Sequence, residues 1–249
     1  MLEARELVVG YREGVDILQQ VSLRAAQGAI TSVIGANGSG KSTLLRCLFG
    51  LLPPRAGEVR FAGQSIASWR TERRKAAGIG YLPQHHSTFP QLTVEENLVL
   101  GGWLLRGDRR HLRTRIDALY GLFPALAERR RARATTLSGG QLRMLALAKE
   151  LVVPPRLLLV DEPSVGMSPK VAGELYAFLE RLPGEGVTVL LVDQNITDAV
   201  RVAQRVYLMG EGRVQREGSG SWFATHLDQV VQEMLRGRDG PAPAAGQAR

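Results

Sequence analysis

The feature that most constrains this chain is a glycine-rich loop, Gly-Ala-Asn-Gly-Ser-Gly-Lys-Ser-Thr, at residues Gly35 to Thr43. The apolar run Ile30 to Ile34 precedes it, and the helix-forming stretch Leu44 to Phe49 follows it. Glycines at this spacing let successive backbone N–H groups turn inward around a phosphate chain, and the start of the following helix adds partial positive charge. The pattern therefore predicts a strand, a phosphate-binding loop and a helix, and with them a nucleoside triphosphate site.

The residues of this loop have separate tasks in such a site. The Lys41 ammonium is long enough to reach the β- and γ-phosphates, and the Ser42 hydroxyl is suited to hold Mg²⁺. Side chains at the three glycines would intrude on the phosphates. The predicted nucleotide-binding residues are Gly35, Ala36, Asn37, Gly38, Ser39, Gly40, Lys41, Ser42 and Thr43, and Lys41 is also a candidate catalytic group.

A second motif is an apolar strand that ends in two adjacent carboxylates. Residues Leu157 to Pro163 read Leu-Leu-Leu-Val-Asp-Glu-Pro. Adjacent residues at a strand end point in different directions, so the two acids can do different work. Asp161 suits the metal, directly or through water, and Glu162 suits a water molecule that attacks the γ-phosphate. We therefore predict that Asp161 joins Ser42 at Mg²⁺ and that Glu162 is the catalytic base or orienting group.

Length and cysteine usage bound the class of protein. The 249 residues suffice for one sizeable core, alone or with a smaller appended subdomain. The longest apolar stretches are strand-length and too short for a bilayer, the N-terminus has no secretion signal, and Cys47 is the one cysteine. These features are typical of a protein of the reducing cytoplasm.

The net charge of +8 is concentrated in three arginine-rich clusters, at Arg70–Lys75, Arg106–Arg115 and Arg129–Arg133. A basic patch is compatible with nucleic acid, an anionic membrane surface or an acidic partner. No recognised nucleic-acid module accompanies the clusters, so we interpret them as solvated helix faces and expect no specific nucleic-acid partner.

Strand and helix signals alternate along most of the chain. The segments Glu3–Val9 and Val21–Ala25 are predicted strands, and strand–helix alternation resumes at Leu157. Between these regions, residues 88–150 have mainly helical patterns. The predicted fold class is α/β: a phosphate-loop NTPase core with a mainly parallel sheet, an N-terminal antiparallel β subdomain and an inserted α-helical subdomain.

Local signals set the expected boundaries within this fold. Two capping boxes, Thr93 with Glu96 and Ser138 with Gln141, predict helix starts in the insert. The last predicted helix spans about 222–235. We expect one domain over 1–236, and the Gly-, Pro- and Ala-rich segment 237–249 is expected to be a disordered tail.

A third motif, Leu-Ser-Gly-Gly-Gln, occupies residues Leu137 to Gln141. Two glycines after the capping Ser138 leave backbone N–H groups at a helix start open to a second phosphate. A single nucleotide bound by one chain does not need two such devices. The combination of motifs resembles the ATP-binding cassette family, whose signature motif has this same sequence, and the resemblance extends from Tyr11 to about Glu217.

The resemblance implies that two chains share each site. In that family two domains dimerise head to tail, and the signature motif of one closes over the γ-phosphate that the other holds. ATP and Mg²⁺ are the implied ligands. The residues implied to act on the partner's ATP are Leu137, Ser138, Gly139, Gly140 and Gln141.

Other family positions can be matched one at a time. Tyr11 stands where the family places an aromatic ring against adenine, and Gln84 stands where a glutamine touches Mg²⁺ and the attacking water. Segment Ser164–Met167 matches a loop between the two sites of the dimer. Gln194 stands where the family usually has a histidine that contacts the γ-phosphate. We count Gln194 as a catalytic group, with weaker γ-phosphate sensing that is insensitive to pH, because an amide carries neither a proton nor a charge.

This departure narrows the resemblance. The triplet Asp193–Asn195, together with Leu92–Leu98 and Leu122–Pro124, looks like one ATPase subunit of branched-chain amino-acid importers. Those importers and their amide or urea relatives pair two different ATPase chains. The implied partners are a second ATPase subunit in a homo- or heterodimer, membrane permease subunits and, indirectly, a solute-binding protein. The implied location is peripheral, on the cytoplasmic face of the inner or plasma membrane.

Other functions stay open at this point. Within transport, branched-chain or other hydrophobic amino acids are the leading substrates, and urea, an amide or a lipid is the alternative, because the substrate does not touch such a subunit. A soluble cassette ATPase of translation or DNA repair usually has two cassettes or a long coiled coil, and this chain has neither pattern. A phosphate-loop kinase or GTPase is disfavoured, because the Asn-Lys-x-Asp motif is absent.

Overall fold

The computed structural model describes residues 1–85 and 87–236. Two β-sheets and ten α-helices make up this part of the chain. The strands are β1 Leu2–Val9, β2 Leu18–Ala25, β3 Ile30–Gly35, β4 Ala56–Phe61, β5 Gln64–Ser65, β6 Ile79–Leu82, β7 Leu157–Asp161, β8 Thr188–Asp193, β9 Arg205–Gly210 and β10 Arg213–Ser219. The helices are α1 Lys41–Phe49, α2 Thr71–Ala76, α3 Val94–Gly101, α4 Arg109–Leu122, α5 Pro124–Glu128, α6 Gly139–Leu151, α7 Pro169–Arg181, α8 Ile196–Val202, α9 Gly220–Thr225 and α10 Leu227–Arg236.

The two sheets differ in their pairing. Strands β2-β1-β4-β5 form an antiparallel sheet near the N-terminus. The larger sheet has the order β10-β9-β3-β8-β7-β6, in which every neighbouring pair is parallel except β9 with β10. The α/β fold class with a mainly parallel sheet and an antiparallel β subdomain is therefore confirmed.

Alternation along the central strands creates two separate cores. In β3, Ile30 and Ile34 pack into one cluster, and Val33 packs into the other. In β7, Leu158 and Leu159 likewise point to opposite faces. Because successive side chains of a strand alternate between faces, a strand with apolar residues throughout must be covered on both sides. The central sheet accordingly has a buried layer on each face.

The connection from β6 to β7 contains the four helices α3 to α6 within the predicted helical insert. Both predicted capping boxes are present, because Thr93 and Ser138 each accept the backbone N–H three residues on, and the Glu96 and Gln141 side chains bond back. These caps satisfy backbone donors that a helix start leaves free.

The C-terminal helix differs from its prediction. The expected single helix over 222–235 is two helices, α9 and α10, separated at His226. The His226 ring nitrogen Nδ1 lies 2.8 Å from the Trp222 carbonyl, and the Thr225 hydroxyl donates to the same oxygen at 2.9 Å. These side chains occupy acceptors of the last turn and end α9 there. The predicted tail, 237–249, lies outside the described residues.

The prediction that the basic clusters are solvated helix faces is wrong for one residue of the cluster Arg70–Lys75, while Arg70 and Arg73 are exposed as expected. Arg74, in the unpredicted helix α2, is buried and donates to the carbonyls of Cys47 and Leu48 at 3.0 and 2.7 Å. Its positive charge thereby caps the C-terminal end of α1. The basic residue in the last turn of that helix, Arg46, is less buried than Arg74. Across 1–85 and 87–236, no helix has the length and apolar character needed to span a membrane.

Candidate functional site

The glycine-rich loop joins β3 to α1, as predicted. A Cβ atom at Gly35 would lie 2.3 Å from the Met209 carbonyl oxygen, so only glycine fits there. Gly38 and Gly40 have φ angles of +84° and +100°, a region that L side chains rarely adopt. Gly38 has open space around it, so its requirement is conformational rather than steric.

Lys41, the first residue of α1, is folded back onto this loop. Its Nζ donates to the carbonyls of Gly35 and Ala36 at 2.9 and 3.1 Å, and it lies 3.7 Å from the Glu162 carboxylate. Burial lowers the pKa of Lys41, and the nearby Glu162 carboxylate opposes that shift. The ammonium group is thus a desolvated charge whose carbonyl partners can be exchanged for the oxygens of an anion.

A buried polar atom in the loop points to a missing ligand. Ser39 Oγ is buried and has no hydrogen-bond partner among residues 1–85 and 87–236. An unpaired buried hydroxyl is costly, and such groups need an explanation in a native protein. A phosphate oxygen bound in the loop would supply the acceptor, so the loop fits a nucleotide.

Asp161 ends strand β7 beside the loop. Its Oδ1 accepts from the Ser42 hydroxyl at 3.0 Å, and its Oδ2 accepts from the Tyr81 hydroxyl at 3.4 Å. Burial raises the pKa of Asp161, while the bonds from Ser42 and Tyr81 oppose the rise. Burial also raises the pKa of Tyr81 to about 12, so it stays a donor at neutral pH.

The oxygen atoms here suit magnesium. The predicted ligands Ser42, Asp161 and Gln84 offer a hydroxyl, a carboxylate and an amide, the hard donors that Mg²⁺ prefers. In the described part of the chain, no group of three or more His, Cys, Asp or Glu side chains is arranged to hold a metal ion. A Mg²⁺ ion at this site would therefore share its shell between these residues, water and nucleotide phosphates.

Glu162, the next residue, collects three predicted site residues around its carboxylate. Gln84 Nε2 donates to Oε2 at 2.7 Å and Gln194 Nε2 donates to the same oxygen at 3.3 Å, while Lys41 faces Oε1. The backbone of Glu162 has φ +42°, and its N–H donates to the Val192 carbonyl at 2.8 Å. Such left-handed backbone in a non-glycine residue stores strain and is frequent at functional sites.

Tyr11 lies at the exposed rim of the same cleft. Its hydroxyl lies 3.3 Å from Thr43 Oγ1 and accepts from the Arg46 guanidinium at 2.9 Å. The sequence did not predict Arg46 as a site residue. A basic residue in the last turn of a helix is common because it stabilises the helix terminus, so Arg46 did not stand out. A cleft of about 480 Å³ is lined by Tyr11, Ile17, Asn37, Gly38, Gly40, Lys41, Ser42, Thr43, Gln84, Glu162 and Gln194. Because Lys41 and other predicted nucleotide-binding residues line it, we call it the nucleotide cleft.

The residue before Gln194 is a buried acid, Asp193, whose hydrogen bonds the sequence did not predict. Asp193 accepts from the Tyr176 hydroxyl at 2.5 Å and from the Asn195 backbone N–H at 2.9 Å. The Ser164 hydroxyl lies 3.1 Å from the same Tyr176 hydroxyl. Burial raises the pKa of Asp193, and the Tyr176 bond opposes the rise. In sequence the tyrosine looks like one more apolar-face residue of α7.

The signature motif lies elsewhere. Ser138 caps α6, and a Cβ on Gly139 would meet nothing, so the backbone there is open. A Cβ on Gly140 would lie 2.8 Å from Val171 Cγ1, so close packing on α7 explains that glycine. Leu137 packs against the core, and the other four motif residues line a cavity of about 640 Å³ with apolar side chains of α4 to α7. We call it the signature cavity.

The signature cavity and the nucleotide cleft have no lining residue in common among the described residues. Residues 18–165 match the family model described as ABC transporter.

The chain belongs to the ABC transporter family. One relative of this ABC cassette is the high-affinity branched-chain amino acid transport ATP-binding protein BraG of Pseudomonas aeruginosa, 38% identical over 87% of this chain and 92% of BraG. Another is the probable branched-chain amino acid transport ATP-binding protein LivF of Archaeoglobus fulgidus, 39% identical over 91% of this chain and 95% of LivF.

Solved structures agree with this assignment. A nucleotide-free ATP-binding cassette from an ABC transporter has the same fold, with a TM-score of 0.84 at 24% identity, covering 97% of this chain and 99% of that one. The dimeric post-hydrolysis structure of the cassette MJ0796, bound to ADP and Pi, has a TM-score of 0.79 at 27% identity, covering 88% and 98%. The predicted family and its enzyme class, an ATPase, are thus confirmed, while the roles of single residues stay predictions.

Proposed function

We propose that this chain is the ATP-hydrolysing subunit of an importer for branched-chain amino acids. The observation that carries the proposal is the convergence of Lys41, Gln84 and Gln194 on the Glu162 carboxylate, beside a loop shaped for phosphate. BraG and LivF, both named as branched-chain amino acid transport proteins, support the solute class.

The residues of the nucleotide cleft divide the reaction among them. Lys41 gives up its carbonyl partners for β- and γ-phosphate oxygens, and the open N–H groups of the loop bind the remaining ones. Mg²⁺, held by Ser42, Asp161 and Gln84, would offset negative charge on the phosphates. Glu162 accepts a proton from the attacking water, whose oxygen forms a bond to the γ-phosphorus as the bond to the ADP oxygen breaks. The amides of Gln84 and Gln194 orient that water and the γ-phosphate.

The separate signature cavity supports a head-to-tail dimer. Within one chain, Ser138, Gly139 and Gly140 face a different opening from Lys41, so they do not act on the nucleotide that this same chain binds. A second cassette related by a two-fold axis would set each signature motif against the other chain's cleft. The dimeric form of MJ0796 is in keeping with this arrangement.

The remaining partners follow from the transport function. Membrane permease subunits would receive the closing motion of the dimer through the loop of Gln84 and the helical insert, at the cytoplasmic face of the membrane. A solute-binding protein would deliver the amino acid and contact the permeases rather than this chain. The second ATPase subunit is either a copy of this chain or a different cassette.

Uptake into proteoliposomes tests the proposal. The chain is reconstituted with the membrane subunits that co-purify with it and with their solute-binding protein, and ATP is supplied on the cassette side. We expect uptake of radiolabelled leucine, isoleucine and valine, and each of these amino acids should compete with the uptake of the other two. The Glu162→Gln variant should show no uptake. Uptake competed by urea alone, or lipid movement without amino-acid uptake, would contradict the proposed solute class. The absence of any co-purifying membrane subunit would contradict the proposed transport function.

A further inference from the structure

A second buried arginine, Arg143, lies between the nucleotide cleft and the helix that begins with the signature motif. It is on α6, two residues after Gln141, the last residue of the motif, and its side chain is buried. Within the described part of the chain, its guanidinium donates to backbone carbonyls alone. These carbonyls lie in the loop after β6, and at the end of β7 with the loop that follows it. The four acceptors are Pro83, Gln84 at 3.2 Å, Asp161 at 2.8 Å and Pro163 at 3.1 Å.

These carbonyls flank the pair on which hydrolysis depends. Gln84 is one of the four acceptor residues, and Glu162 lies between two others, Asp161 and Pro163. The side chains of Gln84 and Glu162 meet at 2.7 Å in the same region. One planar group therefore holds the backbone on both sides of the Gln84–Glu162 hydrogen bond.

Arginine is the residue suited to this task. Its guanidinium presents five N–H donors in a rigid fork, whereas a lysine ammonium is a point charge on a flexible stem. Burial lowers the pKa of Arg143 to about 10, and the carboxylates of Asp161 and Asp193 oppose the shift. At neutral pH the group stays protonated, so all its donors persist.

We propose that Arg143 is a positioning residue for ATP hydrolysis, which acts by holding the loop of Gln84 in register with Glu162 and with the signature helix. The inference rests on the proposed ATPase function and deepens it. Among the described residues, no hydrogen bond joins Arg143 to Lys41 or to another residue of the glycine-rich loop, so we expect it to affect the chemical step more than ATP affinity. It would also transmit movements of α6 to the Gln84 loop.

The chain supplies a matched control in Arg74. This arginine is also buried, lies on a helix and donates to backbone carbonyls, those of Cys47, Leu48 and Ile66 among them. None of its acceptors lines the nucleotide cleft. The loss of either arginine leaves buried carbonyls unpaired, so both substitutions to methionine should lower stability.

A double-mutant cycle with Gln84→Ala tests the proposal. The kcat and KM for ATP are measured at saturating Mg²⁺ for the wild type, Gln84→Ala, Arg143→Met and the double variant, on protein whose folding is verified by circular dichroism. We expect Arg143→Met to lower kcat about 10- to 100-fold with KM within about twofold, because small misplacements of a catalytic pair are this costly. In the Gln84→Ala background the same substitution should change kcat by no more than about twofold, since the two act as a unit.

The Arg74→Met variant is carried through the same cycle. Its thermal midpoint should fall, but any effect on kcat should be the same with and without Gln84→Ala. If the loss from Arg143→Met is as large in the Gln84→Ala background as in the wild type, Arg143 is a structural residue and the inference is wrong. Should Arg143→Met fail to fold, Arg143→Lys replaces it, with a smaller loss of kcat and the same dependence on Gln84.

One further variant separates this inference from the function on which it rests. Glu162→Gln is assayed beside the cycle. If it turns over ATP as fast as the wild type, the proposed role of the cleft fails. If it is inactive while the effects of Arg143 and Gln84 multiply independently, only the positioning role of Arg143 fails.

Discussion

The nucleotide cleft and the signature cavity both present backbone N–H groups at the start of a helix, yet their surroundings differ. At the start of α1, Lys41, Asp161 and Glu162 bring buried charges of both signs next to the loop. At the start of α6, the cavity is lined mainly by apolar side chains, with Glu174 and Arg181 as its charged residues within the described chain. The first region has the groups for chemistry, and the second has only the groups to contact a phosphate.

This difference teaches which region can act alone. A phosphate at the start of α1 would lie next to Lys41, Asp161 and Glu162, whereas the signature cavity has no adjacent pair of acids among its described lining residues. We therefore predict that the signature motif acts with the nucleotide cleft of a second chain. Five substitutions, with two control variants, test and sharpen the comparison.

The largest effect is expected from Glu162→Gln in the nucleotide cleft. Hydrolysis should fall ~10²- to 10⁴-fold, because the amide cannot accept the proton of the attacking water. ATP binding should persist, since the glycine-rich loop and Lys41 are unchanged. Single-turnover hydrolysis and equilibrium binding of a fluorescent ATP analogue measure the two properties. Glu180→Gln, at an exposed ion pair with Arg201, is the control and should hydrolyse ATP like the wild type.

Ser138→Arg addresses the signature cavity. We expect hydrolysis to fall about 100-fold, because a long charged side chain keeps a phosphate from the helix start, while ATP binding by the single chain is unchanged.

Mixing the Ser138→Arg variant with an equal amount of an inactive Lys41→Ala variant should restore up to about one quarter of the wild-type rate. Half of the dimers then contain one chain of each kind, and each of these has one complete site out of two. If the rate does not recover while the two proteins form mixed dimers, the two regions do not complement each other in trans.

A smaller effect is expected from Gln194→His. An imidazole at this place can donate to a phosphate, and in its charged form it adds an attraction that the amide lacks. Hydrolysis should stay equal or rise several-fold. The variant should also gain an inflection near pH ~6.5, with a lower KM for ATP below it, where the wild type is flat. Rates at pH 6 to 8 measure this, and identical pH profiles would show that residue 194 does not face the γ-phosphate.

The smallest effect is on stability, at the bond that joins α7 to the strand before Gln194. Tyr176→Phe leaves the buried Asp193 without its side-chain donor and should lower the free energy of unfolding by about 1–3 kcal/mol at pH 8. Tyr120→Phe is the matched control, because its buried hydroxyl has no partner in the part of the chain that the structure describes. That substitution should be nearly neutral.

The pH dependence of this penalty has a definite sign. Burial raises the folded-state pKa of Asp193, and the hydrogen bond from Tyr176 lowers it again in part. Loss of that hydrogen bond in Tyr176→Phe therefore raises the pKa of Asp193 further. Above the folded-state pKa the penalty is fully present, and it shrinks as the pH falls and Asp193 gains a proton. Urea unfolding at pH 5 and pH 8 compares the two conditions. A penalty of equal size at both would assign the effect to packing rather than to the carboxylate.

Sequence patterns were sufficient for the groups whose chemistry depends on spacing along the chain. The strand–loop–helix around Gly35–Thr43, the adjacent pair Asp161 and Glu162, and the cap at Ser138 are local, so periodicity and capping rules predict them. The same rules missed the short helix α2 and the break at His226. Both depend on side chains that bond carbonyls within or beyond their own turn, and such bonds override local propensity.

Long-range contacts account for what the patterns could not reach. Arg74 and Arg143 are two of many arginines in the chain, and nothing in their neighbours distinguishes them from surface residues. Arg143 binds carbonyls 18 to 60 residues away, from that of Asp161 to that of Pro83, and Arg74 binds those of Leu48 and Cys47, 26 and 27 residues away. Tyr176 finds Asp193 in the same way, across a helix and a strand.

The amino-acid sequence by itself determined the fold class, the phosphate-binding loop, the identities of the acid pair and the presence of a second phosphate device, because each is encoded in residues that are neighbours. Only the tertiary structure decided that Gln84, Gln194 and Lys41 meet at Glu162. It also decided that Arg143 binds carbonyls after both β6 and β7, and that the glycine-rich loop and the signature motif face different openings. Distances between remote segments depend on how the sheet stacks its strands and helices, and that packing is a property of the whole chain.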